Sequence, residues 1–100
     1  MVRADLPLGA QAAQIVHAAG ESVRRRVVRG THAVVLAVPD EPTLRQVVAK
    51  LDGLAIDHVV IVENDAPFAG QATAIGVRPV SDRRTIRRAL STLPLLGRAA

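Results

Sequence analysis

The sequence predicts a three-layer α/β/α fold, in which a mixed four-stranded sheet lies between helices. Two β-branched apolar runs, at residues 32–38 and 59–62, alternate with segments whose apolar residues recur at helical spacing. The first three strands are connected through helices and should be parallel, whereas the fourth follows the third across a short loop and should be antiparallel to a neighbour. With 100 residues, of which 49% are hydrophobic, the chain is predicted to form one domain spanning residues 1–100.

The first strand and the first helix are predicted from residues 2–30. Residues 2–4 predict a strand so short that we expect further residues upstream of Met1. A helix should run from about Ala10 into a run of arginines and end at Gly30. His17 lies on one side of this helix and should be exposed. On nearly the opposite side is the apolar stripe expected to pack on the sheet, formed by Ala12, Ile15, Val16, Ala19 and Val23.

The second strand and second helix follow from residues 32–53. The apolar run 32–38 is typical of a strand covered on both faces. Pro39 should end this strand, and Asp40 should cap a helix that has Glu41 and Pro42 in its first turn. This helix is predicted to close at Gly53. Its inward-facing stripe consists of Leu44, Val47, Val48 and Leu51.

The remaining elements are two strands and a last helix. Residues 59–62 and 71–77 predict the third and fourth strands, joined by a polar loop at 63–70. Ser81 and Asp82 should cap a helix that ends before Pro94. Four arginines are predicted on its outer side, and its inner side consists of Ile86, Ala89, Leu90 and Leu93.

The composition excludes several classes of protein. Cysteine is absent, which rules out disulfides, thiolate chemistry and cysteine-based zinc sites. The three histidines lack the spacing of metal ligands, so we expect neither a metal nor another cofactor. No apolar run approaches the roughly 20 residues that span a bilayer. Since no signal peptide opens the chain either, we expect a cytoplasmic protein without a membrane partner.

The positive charge comes almost entirely from arginine and points to a polyanionic partner. The formal net charge is +4, and 12 of the 13 basic residues are arginine. The planar guanidinium suits bidentate contacts with phosphate, and the near absence of aromatic residues argues against base stacking, so RNA would be read through its backbone. A merely solvated helix face is the alternative. The arginines form two clusters: Arg24, Arg25, Arg26 and Arg29, and Arg83, Arg84, Arg87 and Arg88.

A candidate site lies where the predicted strands end. Asp5, Asp40 and residues 63–65 each follow a strand, and functional groups in such sheets gather at the carboxyl ends of strands. His17 is the best candidate for a general base, because histidine titrates nearest neutral pH. Gln14 at i−3 and Glu21 at i+4 are close enough on a helix to contact its ring. The alternative is an incidental histidine on a surface helix.

Several motifs resemble the archaeal and eukaryotic (type 2) peptidyl-tRNA hydrolases. The resemblance is carried by residues 3–6, 12–19, 34–41, 56–58, 73–79 and 93–96, which together span nearly the whole chain. The variant at 7–9 and the Arg78-Pro79 pair look closest to a divergent branch, the peptidyl-tRNA hydrolase domain-containing proteins. The resemblance implies a four-stranded mixed sheet between helices. It also implies hydrolysis of the ester that joins a peptide to the terminal ribose of tRNA.

The chain departs from the family pattern at two positions of the implied site. The family's lysine-rich loop is replaced by the lysine-free residues 7–11, and the only lysine, Lys50, lies on another helix. The family's Asp-Ala-Gly-Arg-Thr is replaced by residues 63–67, with Glu63 nearest the family aspartate. His17 and Thr73 match a histidine and a threonine of the family.

The resulting hypothesis is a peptidyl-tRNA hydrolase with an altered site. We expect His17, Glu63 and Thr73 to be catalytic, with Thr73 and the amides at the helix start binding the oxyanion. Asp5, Gln14 and Glu21 are expected to contact the substrate. The arginine clusters would bind tRNA, and a homodimer is left open. The first alternative is a non-catalytic tRNA-binding or RNA-binding relative, and the second is a module for protein partners only.

Overall fold

A computed structural model of the chain describes residues 1–23 and 26–98. It contains four strands and three helices and confirms the predicted α/β class. In chain order the elements are β1 (Val2–Arg3), α1 (Leu8–Ser22), β2 (Ala37–Val38), α2 (Glu41–Gly53), β3 (His58–Val62), β4 (Ala72–Val77) and α3 (Arg83–Leu90). Within the described residues, no helix is both long enough and apolar enough to cross a membrane.

The sheet is mixed, with the strand order β2-β1-β4-β3. β1 and β2 are parallel, and β4 lies between β1 and β3, antiparallel to both. β1, β2 and β3 therefore run in the same direction, as predicted. The fourth strand has two antiparallel neighbours, although only one was expected. Because β1, β2 and β3 share a direction, their carboxyl ends meet at one edge of the sheet, called here the carboxyl edge.

Helices cover both faces of the sheet and create two cores. On one face, α1 packs over a core that contains Val2, Ala18, Ile61 and Ala74. On the other face, α2 and α3 enclose a larger core that includes Leu44, Leu51, Ile75 and Leu90. The three layers are those that the sequence predicts.

The termini of α2 and α3 agree with the capping residues that the sequence predicts. The Asp40 carboxylate accepts hydrogen bonds from the Thr43 backbone N–H at 2.9 Å and from its hydroxyl at 2.6 Å. Asp82, rather than Ser81, caps α3 and accepts from the backbone N–H of Arg84 at 2.9 Å. α3 ends at Leu90, before Pro94, as expected.

The inward face of α1 is not the predicted apolar stripe. Gln14, Ala18 and Ser22 are buried, at a spacing of four residues, whereas Val16 is 70% exposed. The reason is a close approach to the sheet at Gly76, where an added Cβ would lie 2.2 Å from the Ala18 carbonyl oxygen. Only small side chains fit at such a contact, so α1 turns Ala18 and Ser22 toward the sheet and leaves most of its apolar stripe outside.

Two predicted elements are shorter than expected. α1 ends at Ser22, not at Gly30. The Ser22 carbonyl accepts a hydrogen bond from the Arg78 guanidinium at 2.9 Å. The strand predicted at 32–38 reduces to Ala37–Val38, preceded by a single bridge from Leu36 to Leu95. β1 offers only two residues for pairing, so residues 32–34 have no strand beside them and lie exposed. A strand covered on both faces was therefore the wrong prediction for this segment.

Candidate active site

The carboxyl edge brings together the residues that follow β1, β2 and β3. Asp5, Asp40 and Glu63 lie there, in agreement with the prediction from strand order. Near Asp5 is a group that sequence reasoning missed, the buried guanidinium of Arg3. It donates twice to the Asp5 carboxylate, at 2.9 and 2.8 Å, and once to the Gln71 side-chain oxygen at 2.8 Å. A lone arginine in a short apolar strand, two residues before an aspartate, was the available signal.

The Arg3 contacts explain the state of Asp5. Its pKa lies below the usual value, chiefly because of the hydrogen bonds from Arg3. Asp5 is therefore ionised at neutral pH and engaged with Arg3. Arg3 also donates to the backbone carbonyl of Ala72, the first residue of β4, at 3.1 Å. Asp5 therefore helps to hold the guanidinium that links β1 to the start of β4. A contact between Asp5 and a substrate stays a prediction.

His17 is exposed on α1, as expected. Glu21 is also exposed, one turn further along the helix. Gln14, predicted beside the imidazole, is instead buried under the helix, with 4% of its surface accessible. Gln14, which precedes His17 by three residues on α1, donates to the Glu63 carboxylate at 2.7 Å. The helix that carries His17 is thus held against the residue that follows β3, and a direct contact between His17 and Glu63 stays a prediction.

Glu63 follows β3 directly, and both of its carboxylate oxygens are bound. Oε1 accepts from the backbone N–H groups of Asn64 at 2.8 Å and Asp65 at 3.2 Å, and Oε2 accepts from the Gln14 amide at 2.7 Å. These hydrogen bonds, the two backbone ones first, lower the pKa of Glu63. Glu63 is therefore a fixed anion at neutral pH. Such a group suits the stabilisation of a positive charge on a neighbouring imidazole.

Thr73 lies in the middle of the domain, on the central strand β4. Only 1% of its surface is exposed. Its hydroxyl is 2.9 Å from the Gln14 side-chain oxygen and 3.3 Å from the Ile61 carbonyl. The structure therefore brings Thr73 and Glu63 together through Gln14, and it buries the Thr73 hydroxyl beneath α1, out of reach of the surface on which His17 lies.

The match to known families covers nearly the whole chain. The family model described as Peptidyl-tRNA hydrolase PTH2 matches residues 1–96. The chain belongs to this family. A search of curated proteins gave no match. The match confirms the resemblance predicted from the sequence, and it includes His17, Glu63 and Thr73 within its range.

Of the two predicted arginine clusters of this PTH2 chain, the structure describes six residues, all of them exposed. Arg26 and Arg29 are exposed in the segment after α1, and Arg24 and Arg25 lie outside the described residues. The four arginines of α3 are exposed, as predicted, and Arg84 is paired with Asp82 at 3.2 Å. Since β4 is antiparallel to its neighbours, it ends at the edge opposite Glu63. α3 therefore begins at that opposite edge, which is also where Arg78 contacts the end of α1.

The other two histidines of the PTH2 chain, His58 and His32, lie outside the candidate site. His58 opens β3, and its Nδ1 lies 2.7 Å from the Ile56 carbonyl oxygen, while Nε2 lies 3.5 Å from the Asp52 carboxylate. His32 is exposed in a loop rather than at the start of a strand. In the part of the chain that the structure describes, no three histidine or carboxylate side chains are arranged to hold a metal ion.

Proposed function

We propose that this chain hydrolyses the ester between a peptide and tRNA, with His17 as general base and Glu63 as its electrostatic partner. The observation that supports the proposal is an exposed imidazole on α1, three residues after Gln14, whose amide binds a carboxylate that accepts three hydrogen bonds and is ionised at neutral pH. Family membership supplies the substrate class, because PTH2 is a family of peptidyl-tRNA hydrolases. Acting on such a substrate would place the protein in translation and in the cytoplasm.

The chemistry follows from these two groups. Neutral His17 removes a proton from a water molecule, which attacks the ester carbonyl carbon and forms a tetrahedral intermediate. The resulting imidazolium is stabilised by the Glu63 carboxylate, which accepts hydrogen bonds only and does not itself take the proton. The imidazolium then returns the proton to the ribose oxygen as the C–O bond breaks. The products are a free peptide carboxylate and tRNA with a free terminal hydroxyl.

Two kinds of oxyanion donor were predicted, the Thr73 hydroxyl and the free N–H groups at the start of α1. Thr73 is buried, and the free N–H groups at the start of α1, those of Leu8, Gly9 and Ala10, precede His17 by seven to nine residues, a rise of roughly 10–14 Å along the helix. One carbonyl group cannot contact both the helix start and a water held by His17. We therefore assign the oxyanion contact to neither of them.

The experiment is release of diacetyl-lysine from diacetyl-lysyl-tRNA. We expect His17→Ala to slow release by about 10²- to 10⁴-fold, the usual contribution of a general base. Its melting temperature should stay near that of the wild type, because His17 is exposed. His32→Ala, another exposed histidine, is the matched control and should release peptide at the wild-type rate. Equal rates in His17→Ala and the wild type would show that the site is placed wrongly.

A tRNA-binding relative without turnover is the second candidate. It is favoured by the lysine-free residues 7–11, because losing one electrostatic group that acts on the transition state costs roughly 10²–10³ in rate. On this hypothesis the exposed arginines bind phosphate, and the wild type binds tRNA without releasing peptide. Ala10→Lys, which restores a cation in the first turn of α1, distinguishes the two. A faster reaction in this variant supports a slow enzyme, and continued absence of release supports a binding protein.

A further inference from the structure

Three side chains form a buried line of hydrogen bonds from the centre of the sheet to the candidate site. The Thr73 hydroxyl lies 2.9 Å from Gln14 Oε1, and Gln14 Nε2 lies 2.7 Å from Glu63 Oε2. Thr73 is 1% exposed and Gln14 is 4% exposed. A substrate at the surface can therefore reach Glu63, but it cannot reach the other two residues.

The direction of this line follows from the chemistry of its members. A carboxylate only accepts hydrogen bonds, so Gln14 must present its NH₂ group to Glu63 and its oxygen to Thr73. That oxygen needs a donor, and the hydroxyl proton of Thr73 is the donor 2.9 Å away. The alternative acceptor for the same proton, the Ile61 carbonyl, is farther from the hydroxyl at 3.3 Å. The carboxylate thus fixes which way the Gln14 amide faces, and the threonine proton satisfies the amide oxygen in that orientation.

We infer that Thr73 and Gln14 are positioning residues, which act on the reaction through Glu63 and do not touch the substrate. Backbone N–H groups hold one oxygen of the Glu63 carboxylate, and the Gln14 amide holds the other. The first contact belongs to the exposed loop after β3, whereas the second is anchored in the rigid centre of the sheet. Without the second contact the carboxylate can rotate away from His17. The kinetic part of this inference rests on the proposed function.

Thr73→Val tests the inference with little change in packing, because valine has the shape of threonine without the hydroxyl. We expect kcat to fall by about tenfold to a hundredfold, as when a catalytic group is displaced by about 1 Å, while KM stays unchanged. Thr73→Ser retains the donor and should restore most of the wild-type kcat. Thr92→Val makes the same chemical change at an exposed position and is the matched control.

A double-mutant cycle shows whether Thr73 and Gln14 affect kcat through one connected line of hydrogen bonds or independently of each other. Gln14→Met removes the amide and keeps a similar length of side chain. If Thr73 acts only through Gln14, adding Thr73→Val to Gln14→Met lowers kcat no further. Multiplied losses in the double variant would overturn the inference. A rise in KM without a fall in kcat for Thr73→Val would do the same, because it would indicate a direct substrate contact.

A readout independent of activity keeps this test apart from that of the proposed function. In ¹⁵N NMR spectra, the Gln14 side-chain NH₂ should show one strongly shifted, slowly exchanging proton, the one donated to Glu63. We expect that signal to move toward the value of a free amide in Thr73→Val and to be kept in Thr73→Ser. An unchanged signal in Thr73→Val would overturn the inference. If the wild type releases no peptide, the proposed function fails, while this measurement still decides whether the line holds Glu63.

Discussion

Replacing Gly76 by alanine should separate α1 from the sheet. An added Cβ would lie 2.2 Å from the Ala18 carbonyl oxygen, 2.9 Å from its carbonyl carbon and 2.9 Å from Ser22 Cβ. Real Cβ contacts essentially never fall below 3.0 Å, so the helix must move by at least 0.8 Å, the difference between 3.0 and 2.2 Å. The closest atoms are backbone and cannot rotate away. We therefore expect a cost of about 3 kcal/mol, the upper end of the usual range for overpacking.

The assay is thermal or urea unfolding of Gly76→Ala beside Gly20→Ala. For a domain of this size, 3 kcal/mol corresponds to a melting temperature roughly 12–24 °C lower. Gly20 lies within α1 with nothing near its missing Cβ, so alanine there should stabilise the protein by roughly 0.5–1 kcal/mol. Opposite signs for the two glycines are the expected result. A Gly76→Ala variant that melts within a few degrees of the wild type would refute the close approach of α1 to β4.

Three further predictions concern the termini of elements and the surface charge. Asp40→Ala removes the N-cap of α2 and should lower the free energy of unfolding by about 1 kcal/mol, measured by urea denaturation. Burial lowers the pKa of the Met1 amino group to about 6, from 8.0. The unfolded chain then binds more protons between these values, so the free energy of unfolding should rise by roughly 2–3 kcal/mol from pH 6 to pH 8, and N-terminal acetylation should abolish this rise. Finally, replacing the four exposed arginines of α3 by alanine should weaken the salt dependence of tRNA binding, so that the slope of log Kd against log salt falls by about 3. The four residues are Arg83, Arg84, Arg87 and Arg88.

Most of the fold could be predicted because its signals are local. The β-branched run of β3, the capping aspartate of α2 and the apolar spacing of α2 and α3 each lie within a dozen residues. The packing of α1 could not be predicted in this way. Its orientation is decided by Gly76, which is 58 residues after Ala18 in the chain, and hydrophobic spacing alone favours the opposite choice of inward residues.

The sequence named Gln14 and Thr73 as members of the candidate site, together with His17 and Glu63, but it predicted neither their burial nor the hydrogen bonds between them. His17 stands out because a lone histidine lies among small residues, and Glu63 because it follows a strand. The hydrogen bonds of Gln14 join it to Glu63, 49 positions later, and to Thr73, 59 positions later, so no local sequence pattern predicts them. A glutamine on a helix is ordinarily read as a surface residue, and only the satisfied partners at both ends of its amide explain its burial.

Single-turnover hydrolysis tests the central claim most directly. The chain is mixed in excess with diacetyl-lysyl-tRNA, and binding and peptide release are followed in the same sample. The roles proposed for His17 and Glu63 predict release well above the background rate, with His17→Ala binding tRNA equally well and releasing peptide at least about a hundredfold more slowly. Saturated binding of tRNA by the wild type with release no faster than background would contradict the account.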